Sequence, residues 1–323
     1  MKGLFYRLLS WLGRHVGVWF VAAFAWLVST GYFLFRPGRV ATSVRFYRAL
    51  HPERGAGHAL RCTWRQFHHF AGVYAERLRL ASTRDQRLSD SSQLTAHSSQ
   101  LTAPSSQPPQ RPGFSCTEEG LDHLARAAEA RTGAILVMSH VGSWEIGARL
   151  LQRRGFPLQL HMGIKAREQI ERLQKSDLQQ DGVEVLAAAS AEASPFDLVE
   201  GLRFLRAGGF VSLAADRPRG EPGRTVAVRF LGHEVRLSAA PWVLALLSRA
   251  PVFHFFALRT GRGRYLFVAS TPRVVRVERR ADRDEAIRRA AQDYADDLAD
   301  IVRRHPEQWY SFEPFLGPSM ASG

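Results

Sequence analysis

The chain has 323 residues, 45% of them hydrophobic, and a formal net charge of +14, so it can bury the core of one large domain and favours anionic partners. Lysine occurs only as Lys2, Lys165 and Lys175, which leaves arginine to carry the charge. The two cysteines, Cys62 and Cys116, form no CxxC pair, which excludes a disulfide framework and a cysteine-based zinc site. The basic residues are scattered and build no recognisable nucleic-acid module, so anionic headgroups, phosphorylated acceptors or an acidic carrier are preferred to nucleic acid.

Val16–Phe35 is free of charge and, as a helix, would span about 30 Å, the thickness of a bilayer's hydrocarbon core. Trp19, Trp26, Tyr32 and Phe35 supply interfacial anchors. Lys2, Arg7 and Arg14 precede the stretch, and Arg36, Arg39, Arg45 and Arg48 follow it, which leans toward a cytoplasmic carboxyl-terminal side. A cleaved signal peptide competes poorly: the apolar run is long for one and no A-x-A site follows. A helix lying in the inner leaflet is the stronger rival. Residues 1–38 therefore read as a membrane anchor and 39–323 as the folded domain.

Arg39–Ala81 reads as amphipathic helix, with Trp64, Phe67, Phe70, Ala71, Tyr74 and Leu78 at helical spacing. These aromatics read as packing, and His68 and His69 are assigned no chemistry. Ser82–Gly113 contains a decaying repeat, SSQLTAH, SSQLTAP, SSQPPQ. It has too few large apolar residues to offset its ordering entropy, so residues 82–113 are expected to be a flexible loop.

Glu118–Arg131 then reads as a helix leading into Ala134–Met138, an unbroken apolar run expected as a strand buried on both faces. Ser139, His140 and Gly142 make a tight turn, and the period changes to helical from Ser143. Downstream strands are expected at Pro157–Gly163, Val183–Ala188 and Phe210–Ala215, with helices at Ala166–Gln180 and Pro195–Ala207. A hairpin of Thr225–Leu231 and Glu234–Leu237 around Gly232-His233, an apolar helix at Ala239–Leu247, strands at Val252–Leu258 and Tyr265–Ser270, and a helix at Asp282–Arg304 follow. This alternation predicts an α/β fold with a mostly parallel or mixed central sheet flanked by helices, besides the N-terminal membrane helix.

His140 thus stands at the carboxyl end of a buried strand, where open α/β sheets place chemistry. Glu145, in the first turn of the following helix, can reach back to accept a hydrogen bond from one imidazole nitrogen and free the other as a general base. Asp216 and Arg217 stand at another strand's carboxyl end, where an arginine can neutralise a phosphate, a carboxylate or a developing oxyanion. The plain alternative for that pair is a structural ion pair. The sequence contains no P-loop, no G-x-S-x-G elbow and no H-E-x-x-H or compact metal cluster, so no metal is expected.

Taken together, the amino-terminal apolar helix, SHVGSWE at Ser139–Glu145, the strand ending in Asp216-Arg217, Phe230-Leu231-Gly232 and HPEQWY at His305–Tyr310 resemble the bacterial lipid A biosynthesis acyltransferase family. The resemblance implies an acyltransferase moving a fatty acyl chain from acyl carrier protein or coenzyme A, as co-substrate and with no cofactor, to a lipid hydroxyl. It implies His140 as the base and Glu145 as the residue that orients it. Arg217 and backbone amides near Gly142 would stabilise charge, and Ser143, Trp144, Asp216, Arg217, Lys165 and Arg167 would contact substrate. Location at the inner membrane, with the catalytic domain facing the cytoplasm, is implied as well. The family commonly shows Asp-Gln where this chain has Asp216-Arg217, which leaves the acceptor open among lipid A precursors, other glycolipids and other amphiphiles. A non-catalytic, membrane-anchored protein binding anionic lipid or a partner is the competing class.

Overall fold

A computed structural model describes residues 18–91, 115–163, 178–179, 182–188, 195–216 and 225–320. It divides into two compact units, Met1–Ser105 and Ser106–Gly323. The first contains α1 (Val18–Phe35), α2 (Pro37–Leu50) and α3 (Ala56–Ser91). Among the described residues no helix is long and apolar enough to cross a membrane. Val16 and Gly17, which the expected span included, lie outside them.

Helix α1 has two different faces. Phe33 packs edge-on against Trp64 and Phe67 of α3, and Thr30 Oγ1 lies 3.1 Å from His68 Nε2. Leu27, Leu34 and Phe35 remain 62%, 63% and 81% exposed. The helical run expected over Arg39–Ala81 is interrupted between α2 and α3, where Pro52 has no N–H to continue a helix. Helix α3 also runs past Ser82, where the loop was expected to begin, because Arg84–Leu88 still consists of helix-compatible residues. The rest of the repeat, residues 92–113, lies outside the described residues.

The second unit is an α/β sandwich. Its strands are β1 (Ser115–Glu119), β2 (Ala134–Met138), β3 (Leu158–Gly163), β4 (Glu184–Ala188), β5 (Phe210–Ala214), β6 (Thr225–Phe230), β7 (His233–Ser238), β8 (Val252–Gly261) and β9 (Arg264–Ala269). Its helices are α4 (Leu121–Glu129), α5 (Trp144–Arg153), α6 (Pro195–Arg206), α7 (Ala240–Ser248) and α8 (Arg283–Arg304). Among the described residues, seven strands form one sheet in the order β1-β9-β8-β2-β5-β3-β4, and β6 and β7 pair as a separate hairpin. Every pairing in the large sheet is parallel except the β8–β9 hairpin. Residues 217–224, which carry Arg217, and 164–177, which carry Lys165, Arg167 and most of the expected helix Ala166–Gln180, lie outside the described residues.

One expectation shifts. Glu118 and Glu119 belong to strand β1, not to a helix, and α4 starts only at Leu121. Gly120 turns the chain between them at φ +71°, with its Cα so close to the Ala269 carbonyl that a Cβ would lie 2.1 Å from the oxygen.

Strand β2 is buried along its whole length, as its unbroken apolar sequence requires, because both neighbours are strands and both faces are covered. Helix α5 packs toward β8 on one face, and on the other Tyr294 of α8 sits edge-on to His254 of β8, the register partner of Val137. With β2 and β5 parallel and adjacent, residues after Met138 and after Ala214 emerge side by side at one rim.

Candidate active site

His140 and Asp216 meet at that rim. Asp216 Oδ1 accepts from His140 Nδ1 at 2.8 Å, and Asp216 Oδ2 accepts from the backbone N–H of His140, also at 2.8 Å. The carboxylate can only accept, so it selects the tautomer protonated on Nδ1 and leaves Nε2 with the lone pair. The Asp216 side chain is fully buried, whereas that of His140 is 24% exposed. An accessible ring braced by an inaccessible carboxylate is an arrangement suited to taking a proton from an incoming hydroxyl.

The turn carrying His140 is held by backbone hydrogen bonds on two sides. Gly142 N donates to Gln308 O at 2.8 Å, Tyr310 N donates to His140 O at 2.9 Å, and Ser143 N donates to Ala257 O at 2.6 Å. Gly142 adopts φ +71° against β8, where a Cβ would stand 2.0 Å from the Ala257 oxygen. The Gln308 side chain in turn pairs with both backbone groups of Arg259, donating to its carbonyl and accepting from its N–H, each at 2.8 Å. Trp309 Nε1 donates to Asp216 Oδ2 at 3.3 Å, and its ring lies edge-on to Phe230 and Phe315. From α8, the phenol of Tyr294 is pushed well up by burial, with the nearby Asp216 charge adding to it.

These contacts revise the roles expected from sequence. The carboxylate on His140 Nδ1 is that of Asp216 and not that of Glu145, because parallel pairing of β2 with β5 brings Asp216 to the ring from a neighbouring strand. Glu145 is buried in the first turn of α5. Asp216, expected to touch substrate, is fully enclosed and bonded to the His140 ring. Of the amides near Gly142, expected to stabilise charge on the acceptor or intermediate, Gly142 N donates to Gln308 O and Ser143 N to Ala257 O. Ser143 is buried at the N-cap of α5, and Trp144 is half-buried beside it. Lys165, Arg167 and Arg217 lie outside the described residues. Sequence reasoning gave no role to Gln308 and Trp309 individually; the only signal was their place in the HPEQWY segment. Among the described residues no group of three His, Cys, Asp or Glu side chains is placed to hold a metal ion.

Fold and site together define a hydrogen-bonded histidine–carboxylate pair on the carboxyl rim of a mostly parallel α/β sheet. The family model described as "Bacterial lipid A biosynthesis acyltransferase" matches residues 64–316, and the chain belongs to that family. It is similar to phosphatidylinositol mannoside acyltransferases of two Mycobacterium tuberculosis strains. With the H37Rv protein it shares 28% identity over 197 residues, 60% of this chain and 58% of the relative; with the CDC 1551 protein, 30% over 198 residues, with the same coverage. The corresponding Mycolicibacterium smegmatis protein is 28% identical over 60% of each chain. The matched region thus spans about three-fifths of the length of these relatives.

Proposed function

We propose that this protein transfers a fatty acyl chain from a thioester on acyl carrier protein or coenzyme A to a hydroxyl of a lipid or glycolipid at the cytoplasmic face of the inner membrane. The observation that carries the reading is the accessible His140 ring held by the buried Asp216 carboxylate. His140 Nε2 removes the proton of the acceptor hydroxyl as its oxygen attacks the thioester carbonyl. Asp216 stabilises the imidazolium that forms. The tetrahedral intermediate then collapses, the C–S bond breaks, and the imidazolium returns the proton to the departing thiolate. No acyl-enzyme is needed.

Membership of the family supports an acyl acceptor that is a glycolipid. The name of the relatives, phosphatidylinositol mannoside acyltransferase, supports a phosphatidylinositol mannoside-like acceptor. The exposed apolar face of α1 supports attachment to a membrane, and Arg217, next to Asp216 in the chain, is our candidate for an anionic group of the acceptor. The test is mass spectrometry of total lipids from cells expressing the protein or its His140→Ala variant. One lipid gaining a single acyl group, in the parent only, is the expected outcome. Acylation that persists in the variant rejects His140 as the base. Purified protein supplied separately with acyl-coenzyme A and acyl carrier protein then assigns the donor.

A further inference from the structure

Resting on the general-base reading above, the geometry points to Trp309 as a positioning residue that restrains the charge of Asp216 and thereby tunes the basicity of His140. Asp216 Oδ2 accepts from the His140 backbone N–H at 2.8 Å and from the Trp309 indole N–H at 3.3 Å, while Oδ1 faces the ring. The carboxylate is sealed from solvent, so no bulk water replaces a lost donor, and each N–H on Oδ2 counts for more than it would at the surface. The indole N–H draws charge toward Oδ2 and away from the Nδ1–H···Oδ1 bond.

Trp309 is fixed for this task. Its ring is 2% exposed and lies 5.4 Å and 5.0 Å, centroid to centroid, from Phe230 and Phe315, edge-on to both. The residues on either side of it are bonded to the His140 turn, Gln308 O to Gly142 N and Tyr310 N to His140 O. One three-residue segment therefore holds the backbone of the base and the charge of its partner. Among the described residues, Tyr294 of α8 faces Asp216 with a phenol that stays neutral, Glu145 lies in the first turn of α5, and Glu307 and Tyr310 belong to the same segment as Trp309. Arg217, next after Asp216, lies outside the described residues.

Removing the indole N–H leaves Asp216 a stronger partner for the imidazolium, so His140 takes its proton at higher pH. The experiment replaces Trp309 with 3-benzothienylalanine, which keeps the ring shape and deletes only the donor, and with Phe as a genetically simple counterpart. The His140 imidazole is then titrated directly by NMR in the full-length protein. In both variants the midpoint should move up by roughly half a pH unit, and the rising limb of kcat/KM should move with it. Asp216→Asn should abolish the difference between Trp309 and its isostere. An unchanged His140 midpoint in the isostere overturns the inference. A shifted midpoint with no acyl transfer by any form leaves it standing and rejects the proposed reaction instead.

Discussion

Asp216 holds His140 at two points, accepting from its backbone N–H through Oδ2 and from its ring through Oδ1, both at 2.8 Å. The first bond fixes where the residue leaves the strand, and the second fixes how the ring turns and which nitrogen is protonated. Because the residues are 76 positions apart, this geometry exists only while β2 and β5 stay in register.

Asp216→Asn keeps the shape of the side chain but offers an amide where the ring needs an acceptor. Its NH2 group can force the imidazole into the other tautomer. Acyl transfer should fall by roughly 10²–10⁴-fold with little change in KM. Glu145→Gln, assayed alongside, should retain far more activity. If Glu145→Gln proves the more damaging of the two, the orienting role belongs to Glu145 after all. Steady-state kinetics on both variants decides.

Gly142→Ala should be poorly tolerated although it adds one methyl group. The residue needs φ +71°, and the new Cβ would meet the Ala257 carbonyl oxygen at 2.0 Å. Relieving that clash means moving the turn off β8, which breaks the Ser143–Ala257 bond and displaces His140. A loss of about 2–4 kcal/mol in denaturant unfolding is expected, together with loss of transfer. An active variant of parental stability would show that the turn can relax elsewhere.

Gln308→Glu tests the clamp from the other side. The amide both donates to and accepts from the Arg259 backbone, and a carboxylate can only accept. The variant leaves the Arg259 carbonyl facing a buried charge, so it should be destabilised more than Gln308→Ala, by about 1–3 kcal/mol relative to the parent. Thermal unfolding of the two variants gives the order. The reverse order would mean that the segment tolerates a charge by opening to solvent.

Stability should decline on acidification in two separate stages. Burial holds the His254 imidazole below its ordinary range, against the opposing pull of Asp297 at 2.6 Å. The unfolded chain therefore takes up this proton first, and stability falls as pH drops below about 6.5. Burial and the neighbouring Arg304 lower His305 in the same direction. For Asp297, burial pushes the carboxyl up, but His254 and Arg273 outweigh it and hold the group below its usual value. Its contribution is present above about pH 4 and is lost as pH falls through the folded-state value. Thermal unfolding midpoints between pH 4 and 8 should show the first decline in the parent and most of it missing in His254→Asn. A slope identical in that variant would assign the effect elsewhere.

The sequence by itself determined the local units. The unbroken Ala134–Met138 run, too short for a comfortable helix, reads as a doubly buried strand, the change of period after Ser143 marks a helix, and their junction singles out His140. Those features depend on residues close in the chain, so period and turn chemistry suffice to read them. Strand β1 escaped because five alternating residues before Gly120 look like the polar start of the helix that follows. The identity of the partner carboxylate was beyond sequence spacing: Glu145 is five residues from His140, but the ring bonds Asp216. Strand order decides that, and it is set by packing across the whole sheet. Trp309, bonded to Asp216 across 93 residues, was invisible for the same reason. A hydrogen bond between distant segments leaves no period in the chain; only the folded sheet brings its two ends together.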